Sequence, residues 1–226
     1  MGLRTQEGSK LNSGANIHSN IRPNNKLLFN RNYPVVEPVP IFLLRYGPFF
    51  LNKDGAGVVL FPSKYFLLLG TLISDGEPYR SDGLRERRKT LFIGPLIKVL
   101  DFNMVYLRDI KKRFGGSNFK LTLAPEFNLL PSWVLSPMAF YQLWDRRYVD
   151  YYFGVNEEES KVVGKTYQGE KTENYGLTLK NIITYDRWSY LIQTEWKFYG
   201  PEVYLSPITT RRNEFRFITG FLYKVL

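Results

Sequence analysis

Cysteine is absent from the 226 residues, and histidine occurs once, at His18. Without cysteine there is no disulfide framework, thiolate nucleophile or Cys-bearing zinc site. One histidine cannot build a multi-His metal centre, and a Ser–His–acid mechanism would have to run through His18 alone. Runs that read as membrane helices are lacking too. Residues 55–74 are apolar apart from Lys64, but Pro62-Ser63-Lys64 splits them. Residues 127–144 carry no charge, yet Pro131 and Pro137 interrupt them. Aromatic and β-branched residues accompany the leucines, so each stretch reads as two strands about a turn. The first residues lack the apolar core of a secretory signal, and Gln6 breaks the myristoylation pattern.

Aromatic and basic residues are plentiful: 17 Phe, 16 Tyr and 4 Trp, with 31 Lys+Arg against 21 Asp+Glu, a formal charge of +10. Cations that hold phosphate and rings that stack on bases invite a nucleic-acid reading. The charges argue otherwise. Asp82 and Glu86 break up the arginines of residues 80–88, as in a solvated loop. No recognition motif is present, so nucleic acid is not an expected partner.

Residues 1–33 are polar, with seven Asn after position 11, and read as a flexible N-terminal segment. Beyond them, short alternating segments are separated by turn residues. Tyr175, Leu177, Leu179, Ile183 and Tyr185 share one parity, against Gly176, Thr178 and Lys180. Trp188, Tyr190, Ile192, Trp196 and Phe198 oppose Ser189, Gln193, Glu195 and Lys197. Phe215, Phe217, Phe221, Tyr223 and Val225 oppose Arg216, Gly220 and Lys224. Period-two alternation of this length means half-buried strands. Ten are expected, at 36–46, 55–62, 65–75, 88–99, 102–110, 118–128, 133–145, 173–185, 187–199 and 213–225, with twelve as an alternative.

Connections between these segments alternate long and short, so all tight turns fall on one side. The expected fold is all-β, an up-and-down antiparallel transmembrane β-barrel over residues 34–226, with short periplasmic turns and long extracellular loops. A soluble barrel with an apolar interior fits the alternation as well, because a one-residue change of phase exchanges inside and outside. Three features favour the membrane. Rings at strand ends resemble interfacial girdles, the opposite faces mix Lys, Glu, Arg, Gln and Gly, and strands of about 9–12 residues match a tilted crossing.

Several pieces carry a family resemblance in their order and spacing. They are Tyr151-Tyr152-Phe153-Gly154-Val155, the turn Tyr185-Asp186-Arg187-Trp188, Ser206-Pro207-Ile208 and the closing Gly220-Phe221-Leu222-Tyr223-Lys224-Val225. Upstream, Glu37-Pro38-Val39-Pro40-Ile41 with Arg45-Tyr46-Gly47 and Phe49-Phe50 completes the series. The chain resembles the MltA-interacting protein (MipA)/OmpV family of Gram-negative outer-membrane proteins from about residue 34 onward. The resemblance implies an outer-membrane barrel whose signal peptide has been removed. It also implies a scaffolding role that brings a murein synthase and a lytic transglycosylase together in peptidoglycan remodelling. The chain departs from the family pattern in its Asn-rich start and in ending on Leu226.

The expected lumen charges are Glu37, Arg45, Lys98, Lys120, Glu126, Glu195, Lys197, Arg216 and Lys224. Small barrels fill their interiors with side chains, so these groups are expected to pair, notably across strands among Glu195, Lys197, Arg216 and Lys224. The alternative is a narrow pore for small solutes. Glu157-Glu158-Glu159 reads as a solvated loop tip, short of the six oxygens a hard cation needs. Lys111, Lys112 and Arg113 read as a charged turn or a contact for outer-membrane lipid phosphates. No nucleophile motif accompanies His18, so neither catalysis nor a cofactor is expected, and a lipid-acting barrel enzyme is the third reading. The barrel is expected to be monomeric.

Overall fold

The computed structural model describes residues 19–20, 28–29, 43–52, 55–63, 66–78, 82–209 and 212–223. Two short strands, β1 (Ser19–Asn20) and β2 (Leu28–Phe29), pair with each other. The main sheet begins with β3 (Leu43–Tyr46), β4 (Phe49–Asn52), β5 (Gly55–Pro62) and β6 (Phe66–Asp75). It continues through β7 (Thr90–Val99), β8 (Phe102–Asp109), β9 (Ser117–Leu123), β10 (Phe127–Leu130) and β11 (Trp133–Trp144). It ends with β12 (Thr172–Tyr185), β13 (Trp188–Phe198) and β14 (Asn213–Tyr223). Eleven of these strands, β3–β9 and β11–β14, form one path in chain order, every neighbour antiparallel, and β10 pairs with β11 alone. The fold is therefore all-β and up-and-down. β3 and β14 do not pair with each other among the described residues.

Nine of the ten expected strands are present within a few residues. Most of the first, 36–46, lies outside the described residues, and only β3 is seen of it. The expected strand 118–128 is interrupted at residues 124–126, giving β9 and β10. β4 is not among the ten expected strands: it folds back on β3 through Gly47, in the hairpin that the family resemblance implies at residues 45–50, and the φ of +55° there suits glycine. The expected polar segment 1–33 lies outside the described residues apart from β1 and the residues of β2.

Alternation along β12 shows how the pattern becomes structure. Thr172, Asn174, Gly176 and Thr178 are buried, whereas Glu173, Tyr175, Leu177 and Leu179 are exposed. The same phase runs through the ladder: Leu177 stands opposite Ala139 on β11 and Trp196 on β13, and Trp196 opposite Phe215 on β14. One face thus presents a continuous band of exposed Leu, Phe, Tyr and Trp. The other face curls inward. Phe92 of β7, Leu107 of β8, Trp144 of β11 and Tyr199 just after β13 all belong to one buried cluster, which a flat sheet could not bring together.

The short step from Asn52 to Gly55 apart, the short connections lie at one end, from Pro62 to Phe66 and at Leu100–Asp101, Pro131–Ser132 and Asp186–Arg187. Leu100 and Asp186 take left-handed φ of 52° and 51° there. The long connections lie at the opposite end. Among the described residues three helices occupy them: α1 (Arg146–Phe153), α2 (Glu157–Val163) and α3 (Pro201–Tyr204). Asp145 caps α1 by accepting from the Tyr148 N–H. Asn156 and Glu159 form a reciprocal capping box for α2, which ends at Gly164 with φ +90°. Caps of this kind contribute about 1 kcal/mol each, enough to start a two-turn helix that tertiary packing then holds.

Candidate functional site

The long connections fold over the curled sheet and close that end. Helix α1 lays Tyr148, Val149, Tyr152 and Phe153 against Phe92, Leu107 and Trp144. These positions recur at one and four residues, which places them on a single helical face. The Trp144 ring stacks on Tyr148 at 4.7 Å and on Phe153 at 5.9 Å between centroids. From the β8–β9 connection, Phe114 stacks on Tyr151 at 4.6 Å and meets Tyr148 and Tyr152 edge-on. Burial raises the phenol pKa of both Tyr148 and Tyr152, so they stay neutral.

A buried ion pair fastens this cap. The side chains of Arg87 and Glu159 are 0% and 3% exposed, and Arg87 Nη1 lies 2.8 Å from Glu159 Oε1. The guanidinium uses all five of its N–H groups: Nε donates to Tyr151 O, Nη1 to Arg85 O and Glu159, and Nη2 to Gly154 O and Glu159. The carboxylate also accepts from the backbone N–H groups of Arg85 and Asn156. Burial alone would raise its pKa, but the Arg87 hydrogen bond and charge outweigh that, with the two N–H donors, and it falls below the ordinary 4.5. The loop-tip expectation for the three glutamates is therefore corrected. Glu157 and Glu158 are exposed in the first turn of α2, while Glu159 is buried. Arg87, expected on a solvated loop, is buried with it. Among the described residues no group of acidic or histidine side chains could hold a metal ion.

The two motif pieces read from the sequence meet here. Ser206 Oγ donates to the Phe153 carbonyl at 2.6 Å. Val155 and Ile208 then share a second buried cluster with Leu84 and Val163. Tyr152, Phe153 and Gly154 are buried, and Pro207 is half-buried.

Below the cap, the inward face is polar and several of its groups pair with one another. Lys197 Nζ lies 3.3 Å from Glu77, 4.3 Å from the centre of the Trp144 ring and 4.7 Å from that of Tyr199. Arg216 faces Glu195 across the β13–β14 ladder, with 3.8 Å between charged atoms, and Glu214 at 3.1 Å. Gln142 donates to Asn118, and Asn118 to Asp75. Lys120 lies over the Phe140 ring at 4.1 Å. The expected cross-strand pairing thus holds for Glu195 and Arg216, while Lys197 pairs with a loop carboxylate instead.

The other expected charges are dispersed. Lys98 is exposed near the tight-turn end of β7, and Glu126 is exposed between β9 and β10. Arg45 stands opposite Phe50 in the β3–β4 register. Glu37, Lys224, Val225 and His18 lie outside the described residues. On β14, Gly220 stands opposite Leu191, and the exposed Phe221 and Tyr223 rings lie 4.7 Å from Tyr190 and 4.8 Å from Trp188.

These features define a class: an all-β, up-and-down antiparallel protein whose inward polar face is capped by its own long loops. The chain belongs to the MltA-interacting protein MipA family, whose model matches residues 29–225. No curated protein and no solved structure matches the chain.

Proposed function

We propose that the sheet closes into a monomeric outer-membrane β-barrel that scaffolds murein enzymes, a lytic transglycosylase among them, without catalysing a reaction itself. The family description, an MltA-interacting protein, supports the choice of partner. The band of exposed rings and aliphatic side chains supports the membrane setting, since contiguous apolar surface of this extent is costly in water. The observation that carries the reading is the cap. An interior blocked by Trp144, Tyr148 and the Arg87–Glu159 pair suits a binding protein better than a pore.

In this reading the tight turns face the periplasm and offer the docking surface. Ala124 N donates to Asp101 O, so β10 continues past the β7–β8 turn, with all four of its residues exposed. Purified protein immobilised in detergent should retain the lytic transglycosylase of its own organism, and Leu129→Ser/Leu130→Ser should weaken retention several-fold. No retention by protein that still shows heat-modifiable gel mobility would overturn the scaffold.

A further inference from the structure

We infer that the rim of the β7–β8–β9 corner is a binding site for the phosphate groups of an outer-leaflet glycolipid of the lipid A type. The inference rests on the outer-membrane reading above. It starts from the connection between β8 and β9, whose turn is pinned by hydrogen bonds. The Asp109 carboxylate accepts from Thr90 Oγ1 at 2.9 Å and from the N–H groups of Lys111, Phe114 and Gly115 at 3.0, 3.0 and 3.1 Å. Lys112 and Gly115 take positive φ, and Phe114 turns into the cap as an aromatic anchor. Lys111, Lys112 and Arg113 are left exposed on a fixed frame.

Three more cations surround that turn. Lys89 immediately precedes β7, whose Leu91 carbonyl accepts from Ile110 N. Arg108 is exposed on the outward phase of β8, beside Ile93. Arg147 brings Nη1 to the space a Cβ on Gly115 would meet at 3.4 Å. None of these six forms an ion pair among the described residues. The nearby carboxylates are otherwise engaged: Asp109 inside its turn, Asp145 in capping α1, and Glu86 with Arg88. Six exposed cations that form no ion pair outnumber the carboxylates around this turn, and a multiply charged phosphate is complementary to that excess.

Position selects the lipid over a soluble anion. Directly below the cations, the outward residues of β8 are Phe102, Met104 and Tyr106, with Ile93 of β7 alongside. Acyl chains fit that strip while headgroup phosphates reach Arg108 and the turn, and basic residues next to a lipid-facing surface attract anionic headgroups in this way.

Native mass spectrometry of the detergent-solubilised full chain, with diphosphoryl or dephosphorylated lipid A added, tests the site. The phosphorylated lipid should stay bound at least about tenfold more strongly than the dephosphorylated one, and Lys111→Gln/Lys112→Gln/Arg113→Gln should erase that preference. Lys161→Gln/Lys165→Gln, on and just after α2, should leave it intact. Equal retention by the triple variant, equal binding of the dephosphorylated lipid, or equal loss in the α2 variant would overturn the site. Full competition by millimolar inorganic phosphate would show a free-phosphate site and overturn the lipid assignment. Heat-modifiable mobility and insertion into liposomes, measured on the same samples, report separately on the barrel reading.

Discussion

At the scale of single residues, the Arg87–Glu159 pair has the largest consequences. Two charges out of water are tolerated here because every donor of the guanidinium is occupied and the carboxylate has backbone donors as well. Removing one partner leaves the other buried and uncompensated. Glu159→Gln should therefore loosen the cap by about 3–5 kcal/mol, read as faster amide exchange in α1 and α2. The double variant Arg87→Met/Glu159→Leu should recover much of that loss, and equal exchange in all three proteins would refute the latch. The pH dependence has a definite sign. Because the folded carboxylate has the lower pKa, its contribution is complete above the ordinary glutamate value of 4.5 and fades as pH falls through the depressed one. The protection factors of α1 and α2, exchange rates divided by their intrinsic values at each pH, should stay flat from neutral pH to about 5 and fall only in stronger acid, and the fall should shrink in Glu159→Gln.

Elements of the sheet are held by packing that a glycine permits. Gly176 of β12 stands opposite Phe140 of β11, and a Cβ at position 176 would lie 2.1 Å from the Phe140 ring. Lys120 rests on the same ring, so three strands share one contact. Gly176→Val should displace the ring and destabilise the sheet by about 1–3 kcal/mol in urea unfolding followed by tryptophan fluorescence. An unchanged midpoint would sink this account. Strands of this kind were legible in the sequence because each must bury one face, and burial writes a period of two that turns punctuate. The helices were not read, although their signals are present. Asp145 precedes Arg146, Asn156 stands three residues before Glu159, and Gly164 follows Val163, all recognised cap patterns. Residues 148–153 fall in a long connection, where the period-two pattern used to find the strands stops and the aromatic run is read only as a family motif. Arg87 carries no local signal at all, since its partner is 72 residues away.

For the whole molecule, the aromatic excess divides between two uses. One set lies on the outward band, as Trp188, Phe221 and Tyr223 do. Another fills the cap, where Trp144, Tyr148, Tyr152 and Phe153 are buried among Phe92 and Tyr199. In the closed barrel we propose, the second set decides whether the interior communicates with the outside. A closed barrel of this size has a narrow interior that side chains can fill, so a few rings at one end suffice to block it. The intact protein in planar bilayers should show no discrete conductance steps. Replacing Phe114, Tyr148 and Tyr152 by Ala removes three rings that contact one another. That triple variant should flicker open while retaining its strands by circular dichroism. Glu159→Gln, which loosens the same lid without emptying it, should give rarer openings. The cap acts as the seal only if conductance follows the integrity of the ring cluster in this order. Steady conductance in the intact protein would make the interior a passage and return the paired Lys197, Glu195 and Arg216 to the role of a charged lining.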